Sequence, residues 1–140
     1  MKKILTLVML AMTGLVLIGC SQAQKTKSTD QIQVVASLDF YAEPARAILG
    51  KSGRVISLIN SASVDPHDYQ ATTTDAKQVA NADVVIMNGA GYDSWLDKLV
   101  QANDQRPQLV NVAQDIAHLP AGGNEHLWYD FTVMPKLTRR

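Results

Sequence analysis

Asp83-Val84-Val85-Ile86-Met87-Asn88-Gly89-Ala90-Gly91-Tyr92-Asp93-Ser94-Trp95-Leu96 reads as a strand, a tight turn and the opening of a helix in immediate succession. The run from Val84 to Met87 is apolar without alternation, as expected of a parallel strand buried on both faces. Gly89-Ala90-Gly91 supplies a turn that admits positive φ. Beyond it, Tyr92, Trp95, Leu96, Leu99 and Val100 recur at i, i+3, i+4, i+7 and i+8, the stripe of an amphipathic helix. Outward from this unit, further strands are expected at Ile32-Gln33-Val34-Val35-Ala36, at Val55-Ile56-Ser57-Leu58-Ile59 and at Leu109-Val110-Asn111-Val112. Tyr41, Pro44, Ala45, Ile48 and Leu49 carry a second helical stripe, and Thr72-Thr73-Thr74-Asp75 offers capping groups to a short helix over Ala76 to Ala82. The pattern is βαβαβαβ. It predicts an α/β fold: a four-stranded parallel sheet with helices on both faces, joined by right-handed crossovers.

The ends of the chain read differently. The 140 residues suit one domain, and Met1-Lys2-Lys3 followed by the apolar run Ile4 to Ile18 resembles a secretory signal rather than a membrane span, which needs about 20 such residues. The run closes on Leu17-Ile18-Gly19-Cys20, which resembles the bacterial lipobox. There the cysteine is acylated and becomes the first residue of the mature protein, held to the membrane by buried acyl methylenes. Residues 1–19 are therefore expected to be a lipoprotein signal peptide. Residues 20–31 follow as a lipidated polar tether, and the folded domain begins at Ile32. Cys20 is the only cysteine, so neither a disulfide nor a thiolate metal site is available. Thirteen basic residues balance thirteen acidic ones, and loss of the leader would remove Lys2 and Lys3 and no acid. The mildly acidic remainder gives no electrostatic case for nucleic acid and tolerates cations.

In an open α/β sheet, ligands bind outside the carboxyl ends of the strands. All three histidines fall in the loops at that edge: His67 in Asp65-Pro66-His67-Asp68-Tyr69, and His118 and His126 in the segment from Ala113 to Asp130. Neutral imidazole is the commonest protein ligand of first-row metals, and Pro66 stiffens the approach to His67. Trp128 and Tyr129, next to His126, fit either a water-excluding wall or the edge of the core. Other chemistry is poorly supported. The phosphate-loop pattern G-x-G-x-x-G fails at Ser94, no G-x-S-x-G nucleophile elbow exists, and Glu43 is expected near a helix start, where it favours the dipole.

The motifs taken together resemble a known family. The segments Asp65 to Tyr69, Ala82 to Gly89, Trp95 to Leu99 and Asn124-Glu125-His126-Leu127-Trp128-Tyr129-Asp130 are similar, in order and spacing, to the metal-binding lipoproteins of bacterial zinc and manganese ABC importers. The resemblance implies an extracytoplasmic solute-binding protein that captures Zn²⁺ or Mn²⁺ and delivers it to an ABC transporter permease. It further implies that His67 and His126 are two metal ligands from the N-terminal lobe, residues 32–130, while His118 matches no family ligand. Members of the family have two lobes joined by a long helix, and the second lobe supplies two more ligands. Residues 131–140 are thus expected to begin that helix, and the chain to be an incomplete fragment carrying half of a four-ligand site. Many zinc-specific members carry a histidine-rich insertion before the second histidine, where this chain has only His118. That difference points towards manganese, although the Irving-Williams order lets zinc bind the same groups at least as well.

Two other classes compete. A lipid-anchored surface adhesin would have to present exposed aromatics such as Phe40 and Tyr92 to its partner. A two-histidine metallohydrolase would need an open coordination position and a nearby base, for which Glu125 is the candidate. Membership of a binding motif argues against catalysis by Glu125, and no enzyme activity is expected.

Overall fold

The structure is a computed structural model that describes residues 31–120 and 122–139. The expected signal peptide, Cys20 and nearly all of the expected tether lie outside the described residues.

Four strands, β1 (Ile32–Leu38), β2 (Gly53–Ile59), β3 (Val84–Met87) and β4 (Gln108–Asn111), form one sheet in the order β2-β1-β3-β4. All three pairings are parallel, with Val34 opposite Val55 on one side and Val84 on the other. The expected α/β architecture is therefore present. From β1 the chain moves first to one side of the sheet and then to the other, so strand order reverses between β1 and β3, and the crevice outside their carboxyl ends is the switch point.

Alternation along β1 divides the core in two. Val34, Ala36 and Leu38 face helix α1 (Asp39–Leu49), the turn Val112–Ile116 and the short helix α4 (Val133–Leu137). Val35 faces the opposite side, where Val79 of α2 (Thr73–Ala80) and Leu96 and Val100 of α3 (Ser94–Gln101) bury it. Helices thus cover both faces, and burying both faces is what permits the unbroken apolar stretches Val34-Val35-Ala36 of β1 and Val84 to Met87 of β3. The turn Val112–Ile116 is π-helical, a form found mostly as single turns near functional sites, and the Asn111 side chain caps it by accepting the Gln114 N–H.

Helix α1 begins at Asp39, directly after β1, and Asp39 is the acidic residue of its first turn. Glu43, expected near the start, lies instead in the second turn. Helix α2 starts as anticipated. Thr72 Oγ1 accepts the Asp75 N–H at 3.2 Å, and Asp75 Oδ2 accepts the Thr72 N–H at 2.7 Å, a reciprocal capping box. The same Asp75 oxygen accepts the Tyr69 hydroxyl at 2.9 Å, so the cap also holds the end of the long loop that contains His67.

The segment 131–140, expected to begin an inter-lobe helix, contains α4, whose buried Val133 packs with Met134 and Leu137 on the α1 side of the core.

Thr72→Ala removes one half of the box and leaves the other without its companion. Urea unfolding is expected to show a loss of about 0.5–2 kcal/mol. A change within error of zero would mean that the cap is redundant with the packing of α2.

Candidate metal centre

Three loops converge on the switch point. The first, after β2, carries His67 on a buried proline, and the Trp95 indole N–H of α3 donates to the Pro66 carbonyl at 3.0 Å. The second, after β3, is Asn88 to Asp93. Gly89, Ala90 and Gly91 all have positive φ, at 79°, 53° and 91°. A side chain at Gly89 is excluded, because a Cβ there would stand 2.0 Å from Asn111 Oδ1. The third, after the π turn, carries Glu125, His126 and Trp128.

Asn88 joins these loops to the core. It is wholly buried, accepts the Tyr41 hydroxyl from α1, and donates from Nδ2 to the carbonyls of Gly89 and Glu125, each at 3.0 Å. Its backbone is also tied, with N–H given to Asp93 Oδ2 at 2.7 Å and the carbonyl accepting the Ala113 N–H at 2.8 Å. Burial holds the Tyr41 phenol firmly protonated, as its donor role requires. Asp93, also buried, accepts the Gly89 N–H at 2.9 Å and so closes the turn.

The two histidines are presented by one device used twice. Asp65 Oδ1 accepts both the backbone N–H of His67 at 2.9 Å and its ring at Nδ1, 3.0 Å away. Asn124 Oδ1 accepts the backbone N–H of His126 at 3.0 Å and its Nδ1 at 2.7 Å. In each case an oxygen two residues upstream fixes the Nδ1–H tautomer and leaves Nε2 with the free lone pair, the arrangement commonly found behind metal-bound imidazoles. These bonds to His67 hold the Asp65 carboxyl below its ordinary value, the backbone N–H contributing most.

His67 and His126 share two neighbours. Glu125 Oε1 stands 3.7 Å from His67 Nε2 and 3.7 Å from His126 Nδ1. The Tyr92 ring meets His67 edge-on at 4.8 Å between centroids and lies 6.0 Å from His126. Burial first, and then the negative charges of Asp65 and Glu125, push the Tyr92 phenol up. Both imidazoles are nearly half exposed, so an ion reaches them without local opening. His118 does not join them; its ring bonds the Gln114 carbonyl at 3.1 Å. Among the described residues, no three or more His, Cys, Asp or Glu side chains are grouped so that together they could hold a metal ion.

Phe40 and Tyr92, the aromatics that an adhesin would have to present, are half-buried rather than fully exposed. Phe40 packs on Tyr41 and on Trp128 at 4.7 Å from each, and Tyr92 lies among the rings of His67, His126 and Trp128. Among the described residues, the exposed phenyl and phenol rings are those of Tyr129 and Phe131. Asp65, Asn88, Asp93, Trp95 and Asn124 act as positioning residues that the sequence pattern does not mark as such. An Asp or Asn two positions before a histidine, occurring twice, was the available signal for Asp65 and Asn124.

A parallel α/β sheet of this order, with its loops gathered at the switch point, is the architecture of one lobe of a solute-binding protein. The family model of the periplasmic component A of zinc-uptake complexes, ZnuA, matches residues 34–140, and the chain belongs to that family. The manganese-binding lipoprotein MntA of Bacillus subtilis is 33% identical over 125 residues, covering 84% of this chain and 40% of the relative. The manganese ABC transporter substrate-binding lipoprotein PsaA of Streptococcus pneumoniae serotype 4 is 31% identical over 106 residues, covering 72% of this chain and 34% of its own. The chain thus spans less than half the length of these relatives. Among solved structures, the metal-dependent lipoprotein YcdH of Bacillus subtilis superposes with a TM-score of 0.67 at 24% identity, over 78% of this chain and 41% of that one, and has the same fold.

Burial pushes the Asp93 carboxyl above its ordinary value of 3.8, against the pull of the Asn88 and Gly89 N–H groups. A raised value means that the fold favours protonated Asp93, so stability from this group is lost as pH climbs from 3.8 through the folded value. Relative to Asp93→Asn, the natural chain should lose stability over that interval in urea titrations. Parallel pH profiles would show that the carboxylate is accommodated without cost.

Proposed function

We propose that this chain captures a divalent metal ion, Zn²⁺ or Mn²⁺, through Nε2 of His67 and Nε2 of His126. In this reading it hands the ion to an ABC transporter permease at the extracytoplasmic face of the bacterial membrane. The observation that carries this reading is the duplicated Asx-x-His arrangement. Two loops far apart in sequence each spend an oxygen on fixing an imidazole tautomer, and both do so at the switch point. Histidines with only a surface role have no need of such orientation. Membership of a zinc-uptake family and the manganese named in two relatives support a cation of this class. The Asp65 and Glu125 carboxylates favour its approach. The relatives are named lipoproteins, which supports acylation at Cys20 and a lipid anchor in the membrane.

Isothermal titration of the full chain with Zn²⁺ and Mn²⁺ tests the site. His67→Ala and His126→Ala should each abolish measurable binding. Asp65→Ala and Asn124→Ala keep the ligands but release their orientation, and should weaken binding about 10–100-fold. Unchanged affinity in both histidine variants would refute the site.

The anchor is tested separately by labelling cells with palmitate. Cys20→Ala should accumulate as an unprocessed precursor without label, and normal processing with incorporated label would disprove acylation at this residue.

A further inference from the structure

We infer that the amino edge of the sheet is a second membrane contact, a basic surface that fits the phosphate headgroups of anionic phospholipids and turns the histidine edge away from the bilayer. The inference rests on the membrane attachment proposed above and is independent of the metal site.

The charges of the lobe are sorted by edge. The loops that follow β2, β3 and β4, residues 60–72, 88–93 and 112–132, contain six acidic residues and no lysine or arginine. The segments that lead into strands read the other way. Lys51 and Arg54 flank the start of β2, and Arg106 lies two residues before β4. Helices α2 and α3 run back from the carboxyl edge to the amino edge, and each carries a lysine in its last turn, Lys77 and Lys98. All five residues are exposed. Among the described residues none of the five is in a salt bridge; Arg46, paired with Asp39, is the basic side chain that is. Two acids share the edge: Asp104, and Asp83, whose Oδ2 accepts the Gln33 N–H at 2.8 Å.

Hydrogen bonds join these segments into one surface. Gln31, the residue before β1, donates from Nε2 to the Lys51 carbonyl at 3.4 Å. The Asp83 N–H donates to the Gln33 carbonyl at 2.8 Å, and the Asp83 carbonyl accepts the Gln108 N–H at 2.9 Å. Asn103 Nδ2 donates to the Val79 carbonyl at 3.2 Å and so ties the exit of α3 to the end of α2. Three strand spacings make the edge about 14 Å wide. That is close to the screening length of about 10 Å at 0.1 M salt, so its charges act on a flat anionic surface together.

A helix dipole favours a cation in the last turn, which accounts for Lys77 and Lys98 without any partner. Lys51, Arg54 and Arg106 lie on no helix. The point of entry of the chain selects a bilayer as their partner. Residues 20–31, with Lys25 and Lys27 against Asp30, join β1 at this edge, so a chain anchored through its amino end presents this edge to the lipid first. Each basic residue brought to an anionic bilayer strengthens adsorption about fivefold. The acidic loops of the opposite edge are repelled by the same surface.

In the test, the full chain is inserted through its amino end into nanodiscs that carry a gadolinium chelate on a lipid headgroup. One set of discs is phosphatidylcholine alone, and in the other half the lipid is phosphatidylglycerol. In the anionic discs the backbone amide signals of Lys51, Arg54 and Arg106 should broaden at least about fivefold more than those of His67 and His126. The contrast should vanish in about 0.5 M salt. It should also be lost in the triple variant Lys51→Gln, Arg54→Gln, Arg106→Gln. Equal broadening of both edges in the anionic discs, an undiminished contrast in phosphatidylcholine, or a contrast that survives salt each overturns the inference. In those cases the attachment stands, because the chain has entered the discs. A chain that enters neither kind of disc refutes the attachment and the inference together.

Discussion

A single buried amide organises the functional edge of this lobe. Asn88 sits at the carboxyl end of a central strand, out of reach of water, and such a group is costly unless every polar atom is paired. Its pairing pulls in Tyr41 from one helix, the Gly89 carbonyl of its own turn and the Glu125 carbonyl of a loop 37 residues away. Satisfying one side chain therefore fixes where the His126 loop meets the sheet. A leucine of similar size would fill the space, but it would strand the Tyr41 hydroxyl in the core and release the loop.

The His67 loop is fastened by a different bond to the same effect. Its anchor is an indole N–H reaching from α3 to the carbonyl before the histidine, backed by the stacking of Trp95 on Tyr69 and by the Tyr69 hydroxyl on the Asp75 cap. Each histidine-bearing loop is thus held one residue before its histidine, at the carbonyls of Pro66 and Glu125. The rings themselves are oriented from one residue further back, at Asp65 and Asn124. Position and orientation are controlled separately in both loops. That separation lets the imidazoles remain open to solvent while their lone pairs stay fixed.

Legibility from sequence followed the range of the interactions. Strand runs such as Val84 to Met87, the stripe Trp95-Leu96-Leu99-Val100 and the capping box Thr72/Asp75 are encoded within a few residues, and the structure reproduces them. The gathering of His67 and His126 at one edge was also accessible, because parallel topology brings loops after strands to the same side. The strand order and the Asn88 network were not: the order is set by pairings such as Val34 with Val84, and the network by bonds across 37 and 47 positions, none of which leaves a local pattern. Phe40 and Tyr92 are half-buried rather than exposed for a related reason: Trp128, which packs on both, arrives from the far end of the chain. Glu43 was placed one turn too near the helix start because α1 follows β1 without a linker, a junction that no turn residue marks.

The distribution of indoles has an optical consequence. The chain has two tryptophans, and one serves each histidine loop: Trp95 bonds the backbone before His67, while the Trp128 ring lies 5.2 Å from that of His126. Indole emission is quenched by an electron-accepting neighbour, and an imidazole that takes up a cation becomes one. Trp128 therefore sees the charge state of His126 directly, whereas Trp95 senses the Pro66 carbonyl to which it is bonded and the Tyr69 ring beside it. The molecule contains its own pair of fluorophores, one sensitive to the state of His126 and the other to whether the scaffold beneath the His67 loop has moved.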